Sequence, residues 1–95
     1  MDAQPASPRH RLELEFCMVC KFHGRAFWLA RELMDQRPDL ADEWVLVPSS
    51  GGAFTVRYDG QPVWDYRAAG RFPEPKEVRE AVLALSGRPP TPPRH

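Results

Sequence analysis

Residues 11–16, RLELEF, alternate apolar and polar positions without a break. Leu12, Leu14 and Phe16 share one face, and Arg11, Glu13 and Glu15 share the other. This period of two belongs to a strand with one buried side. Near Met18 the period changes. From there to Gln36, Phe22, Ala26, Leu29, Ala30 and Leu33 fall on one helical stripe, widened by Phe27 and Met34. Pro38 stops the helix, because the residue before a proline is pushed out of helical geometry. Trp44 to Val47, WVLV, reads as a buried strand, and 48–52, PSSGG, as a loop. Phe54, Val56 and Tyr58 alternate again, and Asp59-Gly60 is a two-residue hairpin signal. Pairing Tyr58 with Gln61 across that turn predicts Val56 opposite Val63 and Thr55 opposite Trp64. Pro62 has no backbone donor, so its strand belongs at a sheet edge.

A loop is expected over 67–73, then a second helix over Pro75–Leu85. Pro75 would sit in its first turn, Val78, Ala81, Val82 and Leu85 on the buried stripe, and Gly87 at the stop. The order is β-α-β-β-β-α. A strand, a helix and a second strand of these lengths form a right-handed crossover with parallel strands. The hairpin then extends the sheet and the last helix packs on one face. The expectation is a single α/β domain of thioredoxin-like plan, with a mixed four-stranded sheet and two helices, lacking the helix that usually precedes the hairpin.

Length and composition narrow the picture. Ninety-five residues allow one domain with one modest core. Six of the eleven prolines stand at 5, 8, 89, 90, 92 and 93. Residues 1–9 and 88–95 therefore read as disordered tails around a domain at 10–87. The 13 basic and 13 acidic side chains balance, which gives no footprint for nucleic acid or an anionic membrane. No stretch is long and apolar enough to span a membrane. The first ten residues, MDAQPASPRH, have no apolar core of the secretory kind, so the cytoplasm is the expected compartment.

The candidate chemistry lies in Cys17-Met-Val-Cys20, at the predicted strand-to-helix junction. In a reducing compartment, two cysteines at this spacing point to redox chemistry or metal binding more than to a structural staple. With Cys17 near the helix N-cap and Cys20 in its first turn, the unpaired amides and the helix dipole would favour a thiolate. Lys21, His23 and Arg25 would add positive charge, lowering a thiol pKa from about 8.5 toward neutrality. Gly24, one turn beyond Cys20, would leave room for an incoming disulfide, or would simply permit close packing. Zinc is the competing reading: Cys17, Cys20 and His23 supply three ligands and His10 a fourth, but no second C-x-x-C exists. Two small core residues are the bland alternative.

Several segments together resemble a known family. Phe16-Cys-Met-Val-Cys20, Trp28-Leu-Ala-Arg-Glu-Leu33, Gly51-Gly-Ala-Phe-Thr-Val56, Asp59-Gly60 and Gly70-Arg-Phe-Pro73 resemble the selenoprotein W-like family, also called the Rdx or SelT/SelW/SelH family. The resemblance covers about residues 11–86. It implies a thioredoxin-like fold and a thiol-based redox role, with cysteine where some members carry selenocysteine. That position is the second of the motif, Cys20. Helix-terminus electrostatics favour Cys17 as the attacking thiolate, and the selenocysteine position favours Cys20; both stay open here. Thioredoxins proper also place a cis-proline before the hairpin, where this chain has Ser49-Ser-Gly-Gly52.

Other residues join the candidate site. Ser50, Gly51 and Gly52 would let backbone approach a ligand, or would make a plain turn. Trp28 falls on the polar face of the first helix, among Gly24, Arg25, Arg31, Glu32 and Asp35, and is a candidate partner or self-association residue. Arg71 would pair with a carboxylate of glutathione or of a partner, if the 70–73 loop lies at the cysteine end of the sheet. The expectation is a thiol–disulfide oxidoreductase without a cofactor. It would cycle Cys17 and Cys20 between dithiol and disulfide, exchange with protein or small-molecule thiols such as glutathione, and be able to form a homodimer. A non-enzymatic redox-sensing interaction module, switching a surface with Trp28 and the 49–52 loop, is the alternative.

Overall fold

The computed structural model describes residues 9–88. The tails expected at 1–9 and 88–95 lie outside the described residues, apart from Arg9 and Arg88. The elements run β1 (Arg11–Cys17), α1 (His23–Gln36), a single 3-10 turn (Pro38–Leu40), β2 (Glu43–Ser49), β3 (Phe54–Tyr58), β4 (Gln61–Asp65), α2 (Tyr66–Ala69) and α3 (Pro75–Ser86). The sheet order is β2-β1-β3-β4. β1 is parallel to β2 and antiparallel to β3, and β3 is antiparallel to β4. This is the expected mixed sheet in the expected order.

The alternation in β1 does what its pattern implies. Leu12, Leu14 and Phe16 are buried with Phe54, Val56 and Tyr58 of β3, and Ala26, Leu29 and Leu33 of α1 and Val78 and Val82 of α3 close over them. Each such side chain contributes about 1.5–3 kcal/mol by leaving water. The opposite sheet face is polar: Arg57 donates to Glu13 at 3.2 Å and to Glu15 at 2.9 Å.

The structure corrects several sequence expectations. α1 begins at His23 rather than near Met18, because β1 continues through Cys17 and Lys21 adopts a left-handed backbone (φ 60°). A non-glycine residue in that region cannot lie within a right-handed helix. β2 reaches Ser49, absorbing the start of the expected loop, and it is a sheet edge with no fully buried residue rather than the buried strand expected of WVLV. Tyr58 does pair with Gln61, but a bulge between Val56 and Arg57 sets Val56 opposite Trp64 and Thr55 opposite Asp65. Val63 is the extra residue, and the pairs expected beyond it slip by one. The 67–73 loop contains most of α2, which Asp65 caps by accepting from the Arg67 amide at 3.2 Å. Phe27, Met34 and Leu85, placed on buried stripes, are exposed. With a period of 3.6, Phe27 and Met34 fall on the flank of α1 rather than at its centre. The described residues form only two layers, so nothing among them covers that flank.

The ends of α3 follow its sequence. Pro75 opens it, the Glu74 and Glu77 side chains form a reciprocal capping box, and Gly87 closes it in left-handed geometry (φ 72°). After α1 the chain is turned by a buried ion pair. The Arg37 side chain is 2% exposed and clasps Asp39 with Nε–Oδ1 at 2.8 Å and Nη2–Oδ2 at 2.7 Å. The guanidinium holds the Asp39 carboxyl below its usual range. A carboxylate with a depressed folded-state pKa stabilises the fold above its ordinary value of about 3.9, and that contribution is lost as pH falls through the lower folded value. Asp39→Asn should therefore cost about 1–3 kcal/mol in urea unfolding at neutral pH, because a buried guanidinium loses the charge of this carboxylate. The difference between variant and wild type should shrink as pH falls below about 4.

Candidate functional site

The site is built on the end of the central strand. β1 uses alternate residues to bond its two neighbours, and this continues into the cysteine motif. Cys17 N–H donates to the Ala53 carbonyl at 2.8 Å, and Met18 N–H to the Ser49 carbonyl at 2.9 Å. The loop from Ser49 to Ala53 is thus bonded at both ends to the first half of C-x-x-C. The turn then closes on itself: Lys21 N–H reaches the Met18 carbonyl at 2.9 Å and Phe22 N–H the Cys17 carbonyl at 3.0 Å.

Within the turn, Cys17 and Cys20 are joined as a disulfide, with Cα atoms 5.3 Å apart. The Cys20 amide donates to Cys17 Sγ at 3.1 Å. The two cysteines differ sharply in access. Cys17 is 1% exposed, whereas Cys20 is exposed. Because α1 starts at His23, neither cysteine occupies the N-cap or first turn expected for it. Lys21 and Arg25 still supply positive charge in and just after the turn.

The loop facing the cysteines is fixed by side chains. Ser49 Oγ donates to Glu15 at 2.7 Å, and Arg57 donates to the other oxygen of the same carboxylate at 2.9 Å. The Ser49 hydroxyl, and after it Arg57, hold the Glu15 carboxyl below its usual range. Arg67 of α2 donates to the Gly51 carbonyl. Gly51 and Gly52 both have positive φ, 71° and 73°. A Cβ on Gly51 would come within 3.3 Å of Arg67 Nη2. Ser50 is exposed between the Glu15 and Arg67 anchors. No peptide in the described residues is cis, so the loop presents its backbone through glycine geometry rather than through a cis-proline.

Gly24, Arg25 and Trp28 line an open groove of about 330 Å³ on α1. Trp28 is exposed, as its place on the polar face predicts, and a Cβ on Gly24 would meet open space. Arg25 lies over the Phe72 ring, 4.7 Å from its centroid. Phe72 packs with Phe22, Phe54 and Tyr66 in an aromatic cluster, centroids 4.5–5.1 Å from Phe72 for Tyr66, Phe22 and Phe54. Phe22 follows the cysteine turn directly, so the 70–73 loop does lie at that end of the molecule. Arg71 itself is committed elsewhere. It grips Glu77 at 2.9 and 2.5 Å and stacks on Trp64, and it draws the Glu77 pKa down to about 2.

No group of three or more His, Cys, Asp or Glu residues among the described residues is arranged to hold a metal ion. His10, the fourth ligand of the zinc reading, is at the opposite end of β1. Its Nδ1 lies 2.8 Å from Asp59, and its ring stacks on Tyr58.

The Rdx family model matches residues 11–84. The chain belongs to the Rdx family. Bovine migration and invasion enhancer 1 is 32% identical over 76 residues, which cover 80% of this chain and 64% of that protein. A crystal structure of a protein from Bordetella parapertussis superposes with a TM-score of 0.77 at 35% identity, covering 82% of this chain and 99% of the other. A selenoprotein W-related protein from Vibrio cholerae gives the same TM-score at 28% identity, covering 82% and 98%. The fold is thioredoxin-like, and a C-x-x-C pair at disulfide distance in an Rdx protein supports a redox role.

The sequence does not mark Glu15 and Arg67 as site residues, and it marks Ser49 only as part of the 49–52 loop. Glu15 reads as an outward strand position, and its reach to Ser49 needs the parallel register of β1 and β2. Arg67 needs α2, which its sequence does not announce. The loop geometry has a direct consequence. Gly51→Ala and Gly52→Ala should each lose about 1–2 kcal/mol in urea unfolding, the cost of a Cβ in left-handed backbone. Gly24→Ala, inside α1 and facing open space, should instead gain up to about 0.5 kcal/mol.

Proposed function

We propose that this Rdx protein is a thiol–disulfide redox protein in which Cys20 attacks and Cys17 resolves. The observation that carries the reading is the asymmetry of access: Cys20 is exposed and Cys17 is 1% exposed. A thiolate can attack a substrate disulfide only where the three sulfurs can align, so access selects the attacker. The same residue occupies the position that selenocysteine takes in the family this chain resembles.

The cycle balances without a cofactor. The Cys20 thiolate attacks one sulfur of a substrate disulfide, forms a mixed disulfide and expels the other substrate sulfur as a thiolate. Cys17 then attacks Cys20 Sγ, forms the intramolecular disulfide and releases the second substrate thiolate. Two electrons pass from the dithiol to the substrate, and the protons of Cys17 and Cys20 pass to the two leaving thiolates. A thiol reductant, glutathione or a protein dithiol, returns the pair to the dithiol by the reverse exchange. In a reducing compartment such as the cytoplasm the dithiol is the resting form. Cys17 reaches Cys20 without chain movement, since the two already meet at 5.3 Å between Cα atoms. The exposed Ser50 and the glycines beside it, with the Gly24–Trp28 groove, form the surroundings in which a substrate would be held.

Single serine variants test the assignment. Cys17→Ser should accumulate mixed disulfides with substrate thiols, seen by mass spectrometry under mild oxidation, because Cys20 attacks but nothing resolves. Cys20→Ser should accumulate few. The reverse pattern would make Cys17 the attacker, and no adduct on either variant would remove the cycle altogether.

A further inference from the structure

β2 is an edge strand with one side of its backbone unpaired among the described residues. Its orientation follows from two bonds. Glu43 N–H donates to the His10 carbonyl at 3.1 Å, and the Ser49 carbonyl accepts from Met18 at 2.9 Å. Residues 43, 45, 47 and 49 therefore turn their amide groups toward β1, and Trp44, Leu46 and Pro48 turn theirs away from the sheet. The outward row offers N–H and C=O at Trp44 and Leu46, and C=O alone at Pro48.

The other edge, β4, carries Pro62 and a bulge at Val63, devices that discourage further pairing. β2 has no such block before Pro48, close to its end. α1 packs against β1 and β2, while α3 packs against β3 and β4. The flank of α1 turned from α3 therefore overhangs the free edge of β2. That flank carries Phe27 and Met34, 51% and 40% exposed, and the edge carries Leu46, 40% exposed. An unpaired backbone row thus lies beside an exposed apolar strip.

We infer that the free edge of β2 pairs with the β2 edge of a second copy of this chain, antiparallel about a two-fold axis at Leu46. The sequence of the edge is self-complementary in that register. The two Leu46 residues exchange N–H···O=C bonds across the axis. On either side, Trp44 of one copy faces Pro48 of the other, and the Trp44 N–H meets the Pro48 carbonyl. Pro48 lacks a donor at the one place where the register leaves a carbonyl, that of Trp44, without a partner. Val45 faces Val47, and Glu43 faces Ser49, so no like charges oppose each other. The exposed Asp42 and Glu43 at the start of β2 are brought toward the partner's cysteine turn, which carries the exposed Lys21. A parallel pairing would stack the acidic ends instead. Because α1 runs antiparallel to β2, the same axis brings Phe27 of one copy alongside Met34 of the other. An isologous interface requires this reciprocity of contacts.

Sedimentation equilibrium of the reduced full chain should give twice 10.9 kDa at high micromolar concentration. Leu46→Lys should give a monomer with unchanged circular dichroism, since residue 46 is exposed in one copy. A second measurement does not depend on that variant. In a Cys17→Ser, Cys20→Ser background, Leu46→Cys lies on the axis and should cross-link to a covalent dimer with diamide, whereas Trp28→Cys should not. A wild-type chain that stays monomeric overturns the inference. So does a dimer that survives Leu46→Lys, or one that cross-links through Trp28→Cys and not through Leu46→Cys.

Discussion

The structure depends on β1 being hydrogen-bonded on both sides to its last residue. Its even residues turn their amides toward β2 and its odd residues toward β3. The alternation does not stop at the strand's nominal end: Cys17 still bonds Ala53, and Met18 still bonds Ser49. The reactive turn is therefore an extension of the sheet. The same alternation buries Leu12, Leu14 and Phe16 to 2% exposure or less, so the hydrophobic core and the position of the cysteines follow from one register. A one-residue slip of β1 would expose the core and displace the disulfide together.

This origin changes where the chemistry gets its support. At a helix N-terminus, unpaired amides and the macrodipole would act on both sulfurs. Here α1 opens at His23, and the contact made to sulfur within the turn is the Cys20 amide on Cys17 Sγ. The remaining support is local and made by side chains. Ser49 and Arg57 fix the Glu15 carboxylate two residues before Cys17, and Arg67 ties down the Gly51 carbonyl. A chain with no net charge can still place a neutralised carboxylate and a cationic turn at one end of one strand.

What the sequence made legible was what short-range periodicity controls. The alternation of 11–16, the Asp59-Gly60 hairpin, the edge position of Pro62 and the Pro75 and Gly87 boundaries of α3 all reflect rules that act within a few residues. The failures have a common cause as well. Met18–Phe22 satisfies a helical stripe, but the sheet bonds of Cys17 and Met18 and the left-handed Lys21 hold it as a turn. The hairpin register slips because a bulge at Val63 adds a residue that no turn motif announces. Phe27 and Met34 are apolar but exposed, because the two layers of the described residues close only one side of α1. The site itself was half legible: Cys17, Cys20, Gly51 and Gly52 carry their own signals, while Glu15, Ser49 and Arg67 acquire roles only through pairings far apart in sequence.

The difference in exposure between the two cysteines follows from the same strand. A residue that ends a central strand keeps neighbours on both sides, and its own amide holds the loop beside it. Cys17 meets that condition. Three residues later the chain has left the sheet through a left-handed residue at Lys21, and Cys20 faces outward. Because α1 starts only at His23, the first cysteine stays within the sheet and the exposed cysteine is the second. On this argument the exposure of each sulfur in this C-x-x-C turn is set by where the strand stops, and the spacing of the motif carries no information about it.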